Sequence, residues 1–101
     1  MWILQGSGKE ANSWTFRVTA GGIKTVGRAP RADFIVDAAL VSRFHCRLEA
    51  GSDTLDVIDL KSTNGTYVND KRIERARLAI GDRLRVGRVE LTIERAVQRG
   101  N

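Results

Sequence analysis

The amino-acid sequence predicts an all-β protein, an antiparallel sandwich or barrel, on three observations. Beta-branched residues are frequent, with 9 Val, 7 Ile and 7 Thr among 101 residues. Short runs alternate large apolar with polar residues, and clusters of Gly, Asp and Asn interrupt those runs about every ten residues. Alternation of this kind gives each strand one face for a core and one for water. No stretch carries a long helical period.

The elements follow in chain order. Residues 2–5 form a first strand, closed by the turn signal Gly6-Ser7-Gly8. Trp14, Phe16 and Val18 alternate with Thr15, Arg17 and Thr19, which places the three large groups on one face. After Gly21-Gly22 come strands at 23–26 and 34–36. Phe44, Cys46 and Leu48 then alternate with His45, Arg47 and Glu49, so Phe44 is expected in the core and His45 on the opposite face. Beyond Gly51-Ser52-Asp53 lie strands at 55–59 and 66–69, separated by Asn64-Gly65 and followed by the turn Asn69-Asp70. Residues 74–80 are short and end at Gly81-Asp82, so they are expected to be a loop. Leu84 and Val86 alternate with Arg83 and Arg85, and Val89, Leu91 and Ile93 with Glu90, Thr92 and Glu94. Residues 1–97 are expected to form a single domain, with 98–101 a fraying tail.

Composition narrows the function classes. Apolar residues are 42% and charged residues 29%, too hydrophobic for intrinsic disorder, and no run approaches the ~20 apolar residues of a membrane span. The start Met1-Trp2-Ile3-Leu4-Gln5-Gly6 lacks a basic leader, which favours a cytoplasmic setting, or a nuclear one in a eukaryote. A lone cysteine, Cys46, and a lone histidine, His45, leave no disulfide framework or zinc module, and no metal or cofactor is expected. The net charge of +5 and a pI near 10.1 point to an anionic partner: nucleic acid, anionic lipid or a phosphorylated protein. Of the 17 basic residues 13 are Arg, whose planar fork suits phosphate oxygens.

Three loops carry chemistry. Gly27-Arg28 follows a strand directly, where the glycine frees the backbone and the arginine turns over the loop end. In Val41-Ser42-Arg43-Phe44-His45 a hydroxyl, a backbone N–H and a guanidinium can converge on one anion. Ser62-Thr63-Asn64-Gly65-Thr66 contains an Asn-Gly turn with positive φ, with the preceding hydroxyls pointing into the same region. Taken singly, each also reads as ordinary structure: an exposed turn arginine, a hydrogen-bonded histidine, a plain hairpin.

In this order and spacing, the three loops resemble the forkhead-associated (FHA) domain, a module that reads phosphothreonine. The resemblance rests on Gly27-Arg28, on Ser42-Arg43-Phe44-His45 as a Ser-x-x-His pattern, and on Ser62-Thr63-Asn64-Gly65-Thr66 with Val68-Asn69. It is supported by Asp33-Phe34-Ile35-Val36, Asp59-Leu60 and Gly81-Asp82, and it extends over residues 25–91. It implies a SMAD/FHA-like antiparallel β-sandwich of about eleven short strands. It implies that Arg28 pairs with the phosphate, that Ser42 and Thr63 donate hydroxyl hydrogen bonds to it, and that Arg43 adds an N–H and a second charge. Asn64 would hold the peptide main chain. Gly27, His45, Gly65 and Asn69 would be scaffold positions that shape the binding loops, and Leu40 and Arg31-Ala32 are candidates for reading neighbouring residues.

The implied function is a non-catalytic adaptor for threonine-phosphorylated proteins or peptides, compatible with a place in a longer multidomain chain. Catalysis would have to draw on Ser42 and His45 with Asp37 or Asp59, but Ser42 lacks a nucleophile-elbow setting. Gly6-Ser7-Gly8-Lys9 resembles a phosphate loop, but Glu10 stands where Ser or Thr is needed. The alternative is a basic sandwich that binds nucleic acid or a phospho-independent protein partner. Nucleic acid is the weaker expectation, because the aromatics of 14, 16 and 44 are assigned to the core and Tyr67 alone is left for stacking. No membrane partner is expected.

Overall fold

The computed structural model describes residues 1–7 and 13–96. The tail expected to fray, 98–101, and the phosphate-loop positions Gly8, Lys9 and Glu10 lie outside the described residues. Among the described residues eleven strands run in chain order: β1 Trp2–Ser7, β2 Ser13–Val18, β3 Ile23–Gly27, β4 Phe34–Ile35, β5 Cys46–Ala50 and β6 Leu55–Asp59, then β7 Thr66–Val68, β8 Lys71–Ile73, β9 Arg75–Leu78, β10 Arg83–Val86 and β11 Val89–Arg95. They form a six-stranded sheet ordered β2-β1-β11-β10-β7-β8 and a five-stranded sheet ordered β4-β3-β5-β6-β9. Pairing is antiparallel except between β3 and β4, where Val26 faces Phe34 and Gly27 faces Ile35 in parallel.

The alternating residues meet between the sheets. Leu4, Val18, Val26, Leu48, Leu55, Val57, Leu84, Val86, Leu91 and Ile93 are fully buried, and each such side chain contributes about 1.5–3 kcal/mol of transfer free energy. At one side of the sandwich Phe16 of β2 stacks on Phe34 of β4, with centroids 4.6 Å apart, and so joins the two sheets across their edges. At the other side Glu74 alone separates β8 from β9, and the chain crosses there from one sheet to the other.

Several expectations are corrected. Residues 74–80 are not a loop: β9 pairs with β6, Leu55 facing Leu78 and Ile58 facing Arg75. The single residue at the crossing breaks the alternation, so inward Ile73 and inward Ala76 are an odd number of positions apart, which imitates a helical spacing. Gly6 and Ser7 continue β1, where they pair with β2 and β11, rather than turning the chain. The run beginning at Phe44 is also shifted. β5 starts at Cys46, Phe44 is 42% exposed, and His45 is completely buried. Asn64-Gly65 is no hairpin, since β6 and β7 belong to different sheets. A two-residue hairpin is at Asn69-Asp70, both with positive φ, between paired Val68 and Lys71.

Candidate functional site

Strands β3, β5, β6 and β7 bring three connections to one end of the sandwich: β3–β4, β4–β5 and β6–β7. Between them lies an open cleft of about 890 Å³, reached by Arg28, Ser42, Arg43, Lys61, Thr63 and Asn64. The five residues expected to contact an anion, Arg28, Ser42, Arg43, Thr63 and Asn64, therefore share one cavity.

Arg28 is set by the end of β3. Its N–H donates to the Ser42 carbonyl at 3.0 Å, and its Nε donates to the Val41 carbonyl at 3.1 Å. Asp33 folds the β3–β4 connection back on itself: its carboxylate accepts from the N–H and hydroxyl of Thr25, and the Thr25 N–H in particular holds its pKa below the usual carboxylate value. Gly27 plays a different part from the one expected. Its φ is not in the left-handed region, but a Cβ there would lie 2.0 Å from the Arg43 carbonyl oxygen, so only glycine lets the two loops touch.

His45 joins the loops from below. Its Nδ1 accepts the Ser42 N–H at 3.1 Å and its Nε2 donates to the Gly65 carbonyl at 2.8 Å, which fixes the tautomer with the proton on Nε2. Its own N–H donates to Val26 and its carbonyl accepts from Leu60. The Ser42 hydroxyl accepts the Thr63 N–H at 3.0 Å, which leaves the hydroxyl proton free to be donated elsewhere. Ser42 and His45 thus meet through a backbone N–H and not through the serine hydroxyl. The adjacent Cys46 thiol is pushed far up, by burial first and by the Asp59 charge second.

The β6–β7 connection is organised by a residue whose role the sequence did not reveal. Asp59 accepts from the Ser62 hydroxyl, the Ser62 N–H and the Thr66 hydroxyl. Burial alone would raise its pKa, and these donors overcome that and hold it low. Ser62 is accordingly turned inward, so of the two neighbouring hydroxyls only that of Thr63 faces the cleft. Asn64 donates from Nδ2 to the Leu40 carbonyl at 3.1 Å and keeps its Oδ1 free among the described residues. Gly65 has φ +87°, and its missing Cβ would meet Arg72 Nε at 2.7 Å.

Asn69 does not belong to this end. It bonds Asp82 and Arg83 at the far end of β7 and fixes the turn before β10, not the binding loops. Leu40 does line the cleft, with φ +70° and 47% exposure. Arg31 is outside it and Ala32 is buried. Phe44 and Lys61 also line the cleft: the strand alternation had assigned Phe44 to the core, and Lys61 adopts a left-handed φ of +57° that nothing in its identity signals.

The cleft is electropositive. Among the described residues Arg28, Arg43 and Lys61 form no ion pair, and Asp37 is the one acid in the lining. Guanidinium nitrogens and an Arg43 N–H that are free among the described residues, together with two hydroxyls, can surround a tetrahedral anion. The apolar part of the wall, Ala38, Leu40, Val41, Phe44 and Leu60, offers a place for a small hydrophobic group.

Comparison with known proteins agrees with this geometry. The family model described as the FHA domain matches residues 24–87. The glycogen accumulation regulator GarA of Mycobacterium tuberculosis is 38% identical over 69 residues, 68% of this chain and 43% of its own length. The match thus spans less than half of that curated relative. A solved FhaA FHA domain, complexed with the intracellular domain of Rv3910, is 30% identical with a TM-score of 0.83, over 93% of this chain and all of that one. A chain from work on phosphothreonine-dependent FHA domain interactions is 29% identical with a TM-score of 0.82, over 96% and 98% of the two chains.

Proposed function

The chain belongs to the forkhead-associated family of phosphothreonine-recognition modules, and on that footing we propose that its cleft holds the phosphate between Arg28 and the hydroxyls of Ser42 and Thr63. The Arg43 N–H and guanidinium complete the cage, and the Oδ1 of Asn64 accepts from the main chain of the bound peptide. Gly27, His45 and Gly65 act as the scaffold beneath. The observation that carries this reading is the convergence of Arg28, Ser42, Arg43, Thr63 and Asn64 on one open, electropositive cleft. A phosphate monoester has about −1.5 to −2 charges at neutral pH and three strong acceptor oxygens, so this donor set separates it from a bare hydroxyl.

The protein works as a non-catalytic adaptor that recruits a threonine-phosphorylated partner, in a cytoplasmic setting, or a nuclear one in a eukaryote. In support, both ring nitrogens of His45 are engaged by backbone groups, so neither is available as a base for Ser42. The relative named a glycogen accumulation regulator supports a regulatory role. Titration of degenerate phosphothreonine, phosphoserine and unphosphorylated peptide libraries against the parent protein and Arg28→Ala tests the reading. Binding of the phosphothreonine set by the parent, lost in the variant, is expected. Equal binding of the unphosphorylated set overturns it.

A further inference from the structure

Positive charge does not stop at the cleft. Lys61 lines both the cleft and a smaller notch that Ser62 also lines, and Arg72 lines that notch as well. The guanidinium of Arg72 lies over Gly65, next to Asn64 in the chain. On the outer face of the six-stranded sheet, Arg72 faces Tyr67 across β7 and β8, and Tyr67 faces Arg85 across β7 and β10. The Arg85 guanidinium sits 4.2 Å from the Tyr67 ring centre. Such stacking holds the cation in place while leaving its N–H fork free. Lys61, Arg72 and Arg85 form no ion pair among the described residues, whereas Arg47, Arg75, Arg77, Arg83 and Arg95 all do.

We infer that Lys61, Arg72 and Arg85 with its Tyr67 platform form a second binding strip, which takes a run of Asp or Glu side chains flanking the phosphothreonine of the same partner. This rests on the phosphothreonine reading above, because the strip meets that cleft at Lys61, and Arg72 lies over Gly65, the chain neighbour of the cleft residue Asn64. Its chemistry is complementary to carboxylates: two guanidinium forks can each hold one bidentately, and an ammonium stands between them and the phosphate site. The acids nearby limit it without cancelling it. Asp59 in the notch is occupied by Ser62 and Thr66, Glu74 lines the notch and forms no ion pair among the described residues, and Glu90 faces Arg85 across β10 and β11, where the strip ends.

The test is a set of fluorescent phosphothreonine peptides with Ala/Ser flanks, or with four Glu placed before or after the phosphorylated residue. The proteins are the parent and the Arg72→Gln and Arg85→Gln variants, which keep most of each side-chain stem. One acidic placement is expected to tighten parent binding about tenfold at low salt, the scale of a few exposed ion pairs. That gain should shrink when the Debye length falls to ~3 Å at 1 M salt. Each Gln variant should lose most of it while binding the neutral-flanked peptide like the parent. A neutral phosphopeptide that binds without any gain from either Glu placement, or a gain that survives both substitutions, overturns the strip and leaves the phosphothreonine reading standing. Failure of every phosphopeptide to bind the parent overturns that reading, and the strip with it. An oligothymidylate arm completes the set: if it binds the parent more tightly than the acidic peptides and depends on Arg72 and Arg85, the strip is a nucleic-acid surface instead.

Discussion

The Nε of Arg28 is bonded to the carbonyl of Val41 at 3.1 Å, which leaves both terminal nitrogens of the guanidinium without a partner among the described residues. The side chain is thereby aimed before any ligand arrives, and less rotamer freedom is lost on binding. The Val41 carbonyl precedes Ser42, so one hydrogen bond ties the aim of the arginine to the loop that carries the neighbouring hydroxyl.

Arg28→Ala is therefore expected to reduce phosphopeptide affinity at least 100-fold, since charge-assisted bonds contribute about 1.5–3 kcal/mol each and more than one is lost. Arg28 is exposed, so the melting temperature should change little. Arg28→Lys keeps the charge but not the Nε anchor or the fork, and should recover only part of the affinity. Calorimetric titration alongside thermal melting checks both, and a variant that binds like the parent removes Arg28 from the site.

His45→Ala should act through stability. The imidazole is fully buried and satisfies the Ser42 N–H and the Gly65 carbonyl, and each buried group left unpaired costs about 1–3 kcal/mol. A loss of about 3 kcal/mol lowers the melting temperature by roughly 12–24 °C in a domain of this size. Affinity measured well below the new midpoint should also fall, because two binding loops lose their common support. Unchanged melting would mean that the loops are held by other contacts.

Most of the fold was legible in the sequence, and the exceptions have identifiable physics. Strands with one buried and one wet face, such as β11, keep strict alternation and are read directly. Edge strands β8 and β9 are short and charged, and their pattern breaks at Glu74 where the chain changes sheet. The site was legible as an ordered set of loop motifs, but not the reasons for its parts. Gly27 serves close approach rather than backbone freedom, His45 is inside rather than outside, and Ser62 bonds Asp59 rather than facing the cleft. Such roles depend on which loops meet in space, and periodicity along one strand carries no information about that.

Lys61 holds a left-handed backbone conformation, φ +57°, that costs a side-chain-bearing residue about 1–2 kcal/mol relative to glycine. Lys61→Gly should remove that cost, offset in part by glycine's greater freedom in the unfolded chain, and raise stability by up to about 1 kcal/mol. The same change removes a cation from the cleft, so phosphopeptide binding should weaken a few-fold at low salt and converge on the parent at high salt. Chemical denaturation and titration at two ionic strengths separate the two effects. A variant that is less stable would show that the Lys61 side chain makes a contribution larger than its backbone strain.

Asn64→Ala should weaken binding about tenfold or more, through the loss of one main-chain contact to the ligand and of the tie to Leu40. Leu40 itself has a left-handed φ of +70° and would be free to relax once its carbonyl is released. Asn64→Asp separates the two functions. It keeps an acceptor for the peptide but cannot donate to Leu40, and it places a negative charge near the phosphate, so it should bind more weakly than Asn64→Ala. The reverse order would show that the acceptor matters more than the charge.

Acid should affect binding before it reaches Asp59. The second ionisation of a phosphate monoester lies near pH 6, so the dianion falls to about a tenth of the ligand by pH 5 and affinity should drop up to tenfold between pH 7.5 and 5. The Asp59 carboxyl answers at lower pH. Burial would raise its pKa, but the donors Ser62 and Thr66 hold it below the usual value. A folded-state value depressed in this way gives stability that is fully present above about pH 4 and is lost as the pH falls through the folded pKa. The Asp59 contribution, read as the melting-temperature difference between the parent and Asp59→Asn, should hence stay level from pH 7.5 to 5 while affinity falls, and decline only in stronger acid. Asp59→Asn, which presents an N–H₂ where donors converge, should lower the melting temperature at neutral pH and flatten its acid decline. If affinity and that difference instead fall together between pH 7 and 5, Asp59 and not the ligand phosphate controls the acid response.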